Sequence, residues 1–313
     1  MFEVIRYTPD RSDEWNSFVE TSKNGTFLFD RRYMDYHADR FADHSLLFYL
    51  DKRLLAVLPA HVKGDTLYSH NGLTYGGLLM SRHLTIVQTM ALFREMNDSL
   101  RSEGLGHVSY KCIPWIYHRL PAEEDLYALY HVCRARMVAR DYSTNIFLGA
   151  GLRWERIRRR AVSRAEAAGI CVERSERYSD FWRVLTENLG TKYGVRPVHS
   201  LQEIELLHSR FPENIVLYQA VKDGEVVGGV VLYVSGQVVH AQYSSATSLG
   251  KKLGAIDLIY QRIMLHDYHD YPYFDFGRST ENPDGSGLNE KLVFQKEGFG
   301  GRGLCYDIYE YDL

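Results

Sequence analysis

The chain has 313 residues, of which 45% are hydrophobic and 25% charged, and a formal net charge of −3. That length allows two domains of ordinary size, and the balance is that of a globular protein rather than a general nucleic-acid binder. The excess of tyrosine over phenylalanine, 23 against 14, suits cores and clefts that stay half wet.

In chain order, Phe2–Tyr7 reads as a strand and Ser12, followed by Asp13 and Glu14, as the cap of a helix to about Lys23. Arg31–Arg40 reads as a short helix. Leu46–Leu50 and Leu54–His61 read as strands joined by Asp51-Lys52-Arg53, and Lys63-Gly64-Asp65 turns the chain into Thr66–His70. A loop, Asn71–Gly77, precedes a helix over about Thr85–Ser102, and His107–Lys111 is the next strand, ended by Pro114. The second half repeats the order. Ile215–Val221 and Glu225–Val234 form a hairpin about Asp223-Gly224, Ser235-Gly236 turns into Gln237–Ser245, and a helix near Gly254–Asp267 precedes the aromatic strand Tyr271–Phe276. Leu304–Tyr311 reads as the last strand.

Asp51 and Asp223 are as far apart in sequence as Gly64 and Gly236, so the two halves align by their turns. The fold class expected is α/β (mixed α+β), with two duplicated domains, 1–150 and 151–313, each a mixed, mostly antiparallel sheet flanked by helices. The joint falls near Gly149-Ala150-Gly151. Cys112, Cys133, Cys171 and Cys305 lie far apart without a CxxC pair, so no metal site is expected and a reducing compartment is. The N-terminus has no charged segment leading into an apolar run, and no apolar window reaches about 18 residues. A cytoplasmic protein without an integral membrane segment is the expectation. GxSxG, HExxH, Walker A and GxGxxG are all absent.

Past the aromatic strand come Asp275-Phe276-Gly277-Arg278, then Glu281, the turn Asn282-Pro283-Asp284-Gly285, and Gly287-Leu288 followed by Gln295-Lys296-Glu297-Gly298-Phe299-Gly300-Gly301. This ending resembles the "GL…FKxGFGG" ending of the FemABX-like acyltransferases, tandem GNAT-fold proteins, with Gln295 where the family has Phe. The resemblance covers nearly the whole chain and includes the loop Ser69–Gly77. It implies two GNAT domains across a cleft, acyl transfer to an amino group of a cell-envelope or polysaccharide precursor, and contact between Lys296 and an acceptor phosphate.

Four groups of residues are candidates for chemistry. Asp275, Tyr243 and Glu281 could take the proton of an attacking amine, although an Asp275–Arg278 pair could equally be structural. His240 and Tyr243 differ in parity along their strand, so at most one is expected to face a site. Arg156, Arg160 and Arg164 share one face of a helix over Leu152–Ala168, either as a solvated face pairing with Glu155 and Glu166 or as a wall for an anionic substrate. Ser248, Lys251, Lys252, Gly254 and Ala255 form a strand-to-helix turn that could hold the phosphates of acyl-CoA, or an ordinary loop. The usual GNAT spacing of glycines is missing there. Asn71 and Tyr75 could hydrogen-bond an acceptor from a tight β-to-α connection.

The reading is an N-acyltransferase with an anionic acceptor held by Lys296, Arg278 and the basic helix with its Arg156 and Arg160, and with acyl-CoA rather than aminoacyl-tRNA as donor. Aminoacyl-tRNA users of the family carry a long helical arm, whereas Tyr178–Asn214 is broken by Gly190, Gly194, Pro197 and Pro212, which weighs against tRNA, and no DNA partner is expected. The alternative is a non-catalytic binding protein on the same fold.

Overall fold

Two tight hairpins with the same backbone conformation frame the chain. Asp51 and Lys52 have φ of 49° and 63°, and Asp223 and Gly224 have φ of 51° and 83°. Positive φ at both central residues matches the right-handed twist of the strands they join, so both turns fix register. The computed structural model describes residues 1–151 and 153–313, apart from the side chains of Lys192 and Tyr193. The chain divides into two units, the first comprising Met1–Tyr142, Thr280–Gly287 and Cys305–Leu313, the second Ser143–Ser279 and Leu288–Leu304.

The first unit begins with β1 (Glu3–Arg6), α1 (Ser12–Thr21), α2 (Arg31–Met34), β2 (Ala42–Asp43), β3 (Leu46–Leu50), β4 (Arg53–Leu58), β5 (His61–Lys63) and β6 (Thr66–Tyr68). It continues with β7 (Leu79–Met80), α3 (Ile86–Ser102), β8 (His107–Lys111), α4 (Glu124–His131) and the start of β9 (Arg136–Phe147). β1, β3, β4 and β7 make one antiparallel sheet. β2, β5 and β6 are antiparallel, and β6 runs parallel to β8 with α3 in the connection. Thr85 and Gln88 form a capping box that starts α3, and its Phe93, Met96 and Leu100 join Phe48, Leu58 and Val108 in the core. Three expectations change here. Pro59, with no N–H to donate, splits the strand expected over Leu54–His61 into β4 and β5. The helix expected over Arg31–Arg40 is α2 plus a 3-10 turn, Asp35–His37, and α1 is preceded by Arg11, with Ser12 its first residue and not its cap.

The second unit contains α5 (Arg156–Ala167), β10 (Cys171–Ser175), α6 (Tyr178–Tyr193), α7 (Leu201–Arg210), β11 (Ile215–Lys222), β12 (Glu225–Val234) and β13 (Val238–Ala246). α8 (Ser248–Leu253), α9 (Ala255–Arg262), β14 (Tyr273–Arg278), α10 (Glu290–Glu297) and the start of β15 (Arg302–Asp312) follow. Four antiparallel strands, β10 to β13, lead to β14, which is parallel to β13 and antiparallel to the end of β9. Each unit thus uses a hairpin and a helix-linked parallel pair, as two tandem GNAT-like domains should. The helix expected from Leu152 begins at Arg156, and Leu152 lies outside the described residues. The helix expected over Gly254–Asp267 is α9 followed by a π turn, Ile263–Asp267.

Alternation sorts the second sheet into two faces. Val230, Leu232, Val234, Val239, Ala241, Phe274 and Phe276 form a core with Val162 and Ala165 of α5 and Ile259 of α9. Gly229, Val231 and Tyr233 point to the other face, where a Cβ on Gly229 would meet Phe181 of α6 at 2.5 Å. Gly254 has φ of 91°, and a Cβ there would lie 2.4 Å from the carbonyl oxygen of Ala161, so α5 and α9 meet backbone to backbone at this glycine. Gly254→Ala is expected to lower stability by more than about 2 kcal/mol, from the left-handed backbone and the overlap together, read by denaturant unfolding. Unchanged stability would contradict this packing.

Beneath the loop Ser69–Gly77 of the first unit, His61 and His70 pack on each other and on Phe41 at ring separations of 4.8–5.2 Å. Burial, then the charge of Lys111, pulls His61 down to about 4, and burial with His61 and His37 pulls His70 to about 2. Both folded values lie below the unfolded one near 6.5, so folding favours the neutral rings, and their contribution is complete above that pH and lost as pH falls below it. Burial raises Asp125 to about 6, which acts in the opposite sense as pH falls through that value. Between pH 7.5 and 5 the stability of His70→Phe should fall less steeply than that of the native chain, by up to about 1.4 kcal/mol per pH unit. Equal slopes in urea titrations would contradict the buried neutral pair.

Candidate active site

The site grows from one carboxylate in the middle of β14. Asp275 is fully buried, and each of its oxygens is engaged. Ser143 Oγ donates to Oδ1 at 2.7 Å, the Gly277 N–H donates to the same oxygen at 3.1 Å, and His240 Nδ1 lies 2.8 Å from Oδ2. A carboxylate only accepts, so Nδ1 carries the hydrogen and Nε2 is the proton-accepting nitrogen of the neutral ring. Gly277 has φ of 74°, and a Cβ there would sit 3.2 Å from His240 Cε1. The glycine after Phe276 therefore lets the backbone turn back onto Asp275 without crowding the imidazole.

His240 and Tyr243 share a face, contrary to the parity expectation. Tyr243 pairs with Val231 and Ala241 with Leu232, so Gln242 is the extra residue of a β-bulge that flips the alternation. His240 pairs with Tyr233 on one side and with Asp275 on the other. Tyr243 packs edge-on against Trp182 of α6, and its hydroxyl lies 2.6 Å from His199 Nδ1. The His199 backbone N–H donates to the same hydroxyl at 3.3 Å, which directs the phenolic hydrogen to Nδ1. Burial pushes Tyr243 up to about 12, so at neutral pH it is a donor rather than a phenolate.

Lys296 is tied in from α10. Its Nζ donates to the carbonyls of Gly277 (2.7 Å) and Arg278 (2.8 Å) and to Ser279 Oγ (2.9 Å), which uses all three ammonium hydrogens. Burial lowers it to about 8 while Asp275 pulls the other way. It thus holds the turn that follows Asp275. The Gly-Phe-Gly-Gly ending is likewise packing: Phe299 is fully buried between Trp154, Tyr260 and Phe276.

The other sequence candidates scatter. Arg278 is the exposed last residue of β14. On the strand-to-helix turn, Ser248, Lys251 and Lys252 are exposed, Lys251 Nζ donates to Asn188 Oδ1 at 2.6 Å, Gly254 is wedged on α5 and Ala255 is core. Thr247 Oγ1 caps α8 by accepting from the Gly250 N–H at 3.1 Å. Arg156 and Arg160 lie on the exposed side of α5, across the sheet from Asp275. In the first unit, Glu281 and Asn71 are exposed, while Tyr75 is a core residue whose hydroxyl donates to Thr26 Oγ1 at 3.0 Å. Ser143 and His199 carry no sequence signal of their own, and among the described residues no group of three or more His, Cys, Asp or Glu is placed to hold a metal ion.

Lys296→Met would leave two carbonyls and a hydroxyl without their donor. It is expected to cost about 1–3 kcal/mol in denaturant unfolding, and no loss would contradict the strut.

Comparison with known proteins places these features in a fold. The family model of the acetyltransferase (GNAT) domain matches residues 153–283. The structure of FemX is similar at 13% identity over 99% of this chain and 97% of its own, with a TM-score of 0.68. The C-terminal domain of a putative lysylphosphatidylglycerol synthetase from Agrobacterium fabrum is similar at 13% identity over 94% and 91%, with a TM-score of 0.58. A tandem GNAT protein from the clavulanic acid biosynthesis pathway is similar at 10% identity over 100% and 98%, with a TM-score of 0.50. At these identities the likeness is one of fold. No curated protein matches the chain by sequence. Among the described residues, no helix is long and apolar enough to cross a membrane. The chain therefore has the FemABX-like tandem GNAT fold, with an acetyltransferase (GNAT) domain over the segment that carries His240, Tyr243 and Asp275.

Proposed function

We propose that the protein is an N-acyltransferase that moves an acyl group from acyl-CoA to an amino group of an anionic small molecule or cell-envelope precursor. The observation that carries this reading is the His240–Asp275 pair at a fork in the sheet. β13 and β14 pair only over Val238–His240 and Tyr273–Asp275, and beyond that point the two strands part. A donor thioester laid into the fork would meet backbone N–H groups of β13 that could stabilise its tetrahedral oxyanion.

His240 Nε2 accepts the amine proton as nitrogen attacks the thioester carbonyl, and Asp275 stabilises the imidazolium. The carbon–sulfur bond then breaks, and the thiolate takes its proton from the His240 imidazolium, which returns the ring to its neutral form, while Tyr243, donating to His199, lines the site. Lys296 acts indirectly, by holding the Gly277–Ser279 turn, and Arg278 offers a guanidinium to the acceptor. Ser248 and Lys252, exposed on α8, are the side chains this reading gives to the donor phosphates. The fold shared with a putative lysylphosphatidylglycerol synthetase favours an anionic, envelope-associated acceptor. Seven residues between α6 and α7 break the helical stretch, which favours a small donor over aminoacyl-tRNA.

The second reading, a binding protein without turnover, is favoured by one observation. The Gly250 amide at the candidate phosphate turn is already used by Thr247. Acetyl-CoA and longer acyl-CoAs separate the two in a thermal-shift assay, since a ligand at a hundred times its Kd adds about 2.7 kcal/mol. Stabilisation supports the donor site, and none from any thioester supports the binding reading. With an acyl-accepting amine in hand, His240→Gln and Asp275→Asn should each lower kcat/KM by about 10²–10⁴, with Glu281→Gln near the native rate. Native rates in the first two would remove the pair from catalysis.

A further inference from the structure

The face of the second unit opposite His240 and Asp275 carries a separate groove. α5 and α9 are clamped together by the ion pair of Arg158 with Asp257 at 2.9 Å and by the close approach at Gly254. Along their seam lies a cavity of about 510 Å³ lined by Arg153, Trp154, Arg159, Val162, Gln261 and Leu265. A smaller one of about 250 Å³ continues it and shares Glu166 and Gln261.

Three features mark the Arg153 end as a place for an anion. Among the described residues, the exposed Arg153, Arg156, Arg159, Arg160 and Arg164 form no ion pair with a carboxylate, and only Arg158 on this helix does. The indole nitrogen of Trp154 is buried without a hydrogen-bond partner, although the ring is held edge-on against Phe299 at 4.9 Å. A buried donor left unpaired costs energy unless a ligand completes it. Glu166 stands toward the other end, which fixes the polarity of the groove. Between the ends, Val162 and the 43%-exposed Leu265 of the π turn supply an apolar surface.

We propose that this groove binds a phosphate ester with an apolar body, the phosphate on Arg153, Arg159 and the Trp154 N–H, the body over Val162 and Leu265. Two guanidinium forks and an indole offer more donors than a carboxylate's two oxygens can take, whereas a terminal phosphate has three. The groove lies across the sheet from the His240–Asp275 pair, so it stands independently of the acyl-transfer reading.

The test is calorimetric titration of the whole protein with inorganic phosphate, with monomeric dihexanoyl phosphatidic acid, and with phosphatidylcholine vesicles containing phosphatidic acid. The monomeric ester should bind about tenfold or more tighter than inorganic phosphate. Arg153→Ala, Arg159→Ala and Trp154→Phe should each weaken it, the arginine changes by about tenfold. His240→Gln should bind as the native chain does, which keeps failure here distinct from failure of the catalytic reading. Vesicle binding alongside the monomer points to a lipid source, and monomer binding alone to a soluble ester. Binding unchanged in the three groove variants, binding of vesicles without the monomer, displacement of the ester by an unrelated RNA oligonucleotide, or no binding of the ester would each overturn the proposal.

Discussion

A carboxylate with no exposure to water needs its lone pairs filled, and the second unit is arranged to fill those of Asp275. A serine from β9, the Gly277 amide near the end of β14 itself and an imidazole from β13 converge on it, so three strands are locked in register by one side chain. Desolvating the carboxylate without those donors would cost several kcal/mol. The same bonds that stabilise the sheet also orient His240, whose Nδ1–H is committed to Asp275. Structural and chemical demands meet at one residue, and the strand around it tolerates little change.

The supports of that arrangement come from far along the chain. Gly277 adopts a left-handed conformation so that its amide can reach Asp275, and Lys296 gathers the carbonyls that this turn leaves exposed to the interior. Phe299, three residues on, anchors the end of α10 in the core beneath Tyr260 and Phe276. The FemABX-like ending thus serves to place Lys296 under the turn, and its glycines allow the chain to pass close to Thr144, which a Cβ on Gly301 would meet at 2.4 Å.

Much of the fold was legible because turns announce themselves. Asp51-Lys52 and Asp223-Gly224 marked both hairpins, and the equal spacing to the next turns revealed the tandem halves. The helical stripes of α3 and α9 were equally plain. The candidate site was less so. Asp275 could be picked from its place at the end of the aromatic strand, but a bulge has no composition of its own, and Gln242 reverses the parity by which only one of His240 and Tyr243 was expected to face a site. Lys296 was visible as a charged residue in a motif, yet only the fold shows that its three donors close on backbone and serine. Arg156 and Arg160 were correctly placed on one exposed helix face. Which side of the sheet that face covers depends on long-range packing, and it proves to be the side away from Asp275.

The central claim is that the parting of β13 and β14 at His240 and Asp275 is where acyl transfer occurs. A crystal structure with a non-hydrolysable acyl-CoA analogue tests it most directly. The account predicts the acyl carbonyl carbon in the fork, near enough to His240 Nε2 that an attacking nitrogen within about 3.5 Å of that carbon could also hydrogen-bond the imidazole. An analogue bound in order elsewhere, with its carbonyl remote from the fork, would contradict it.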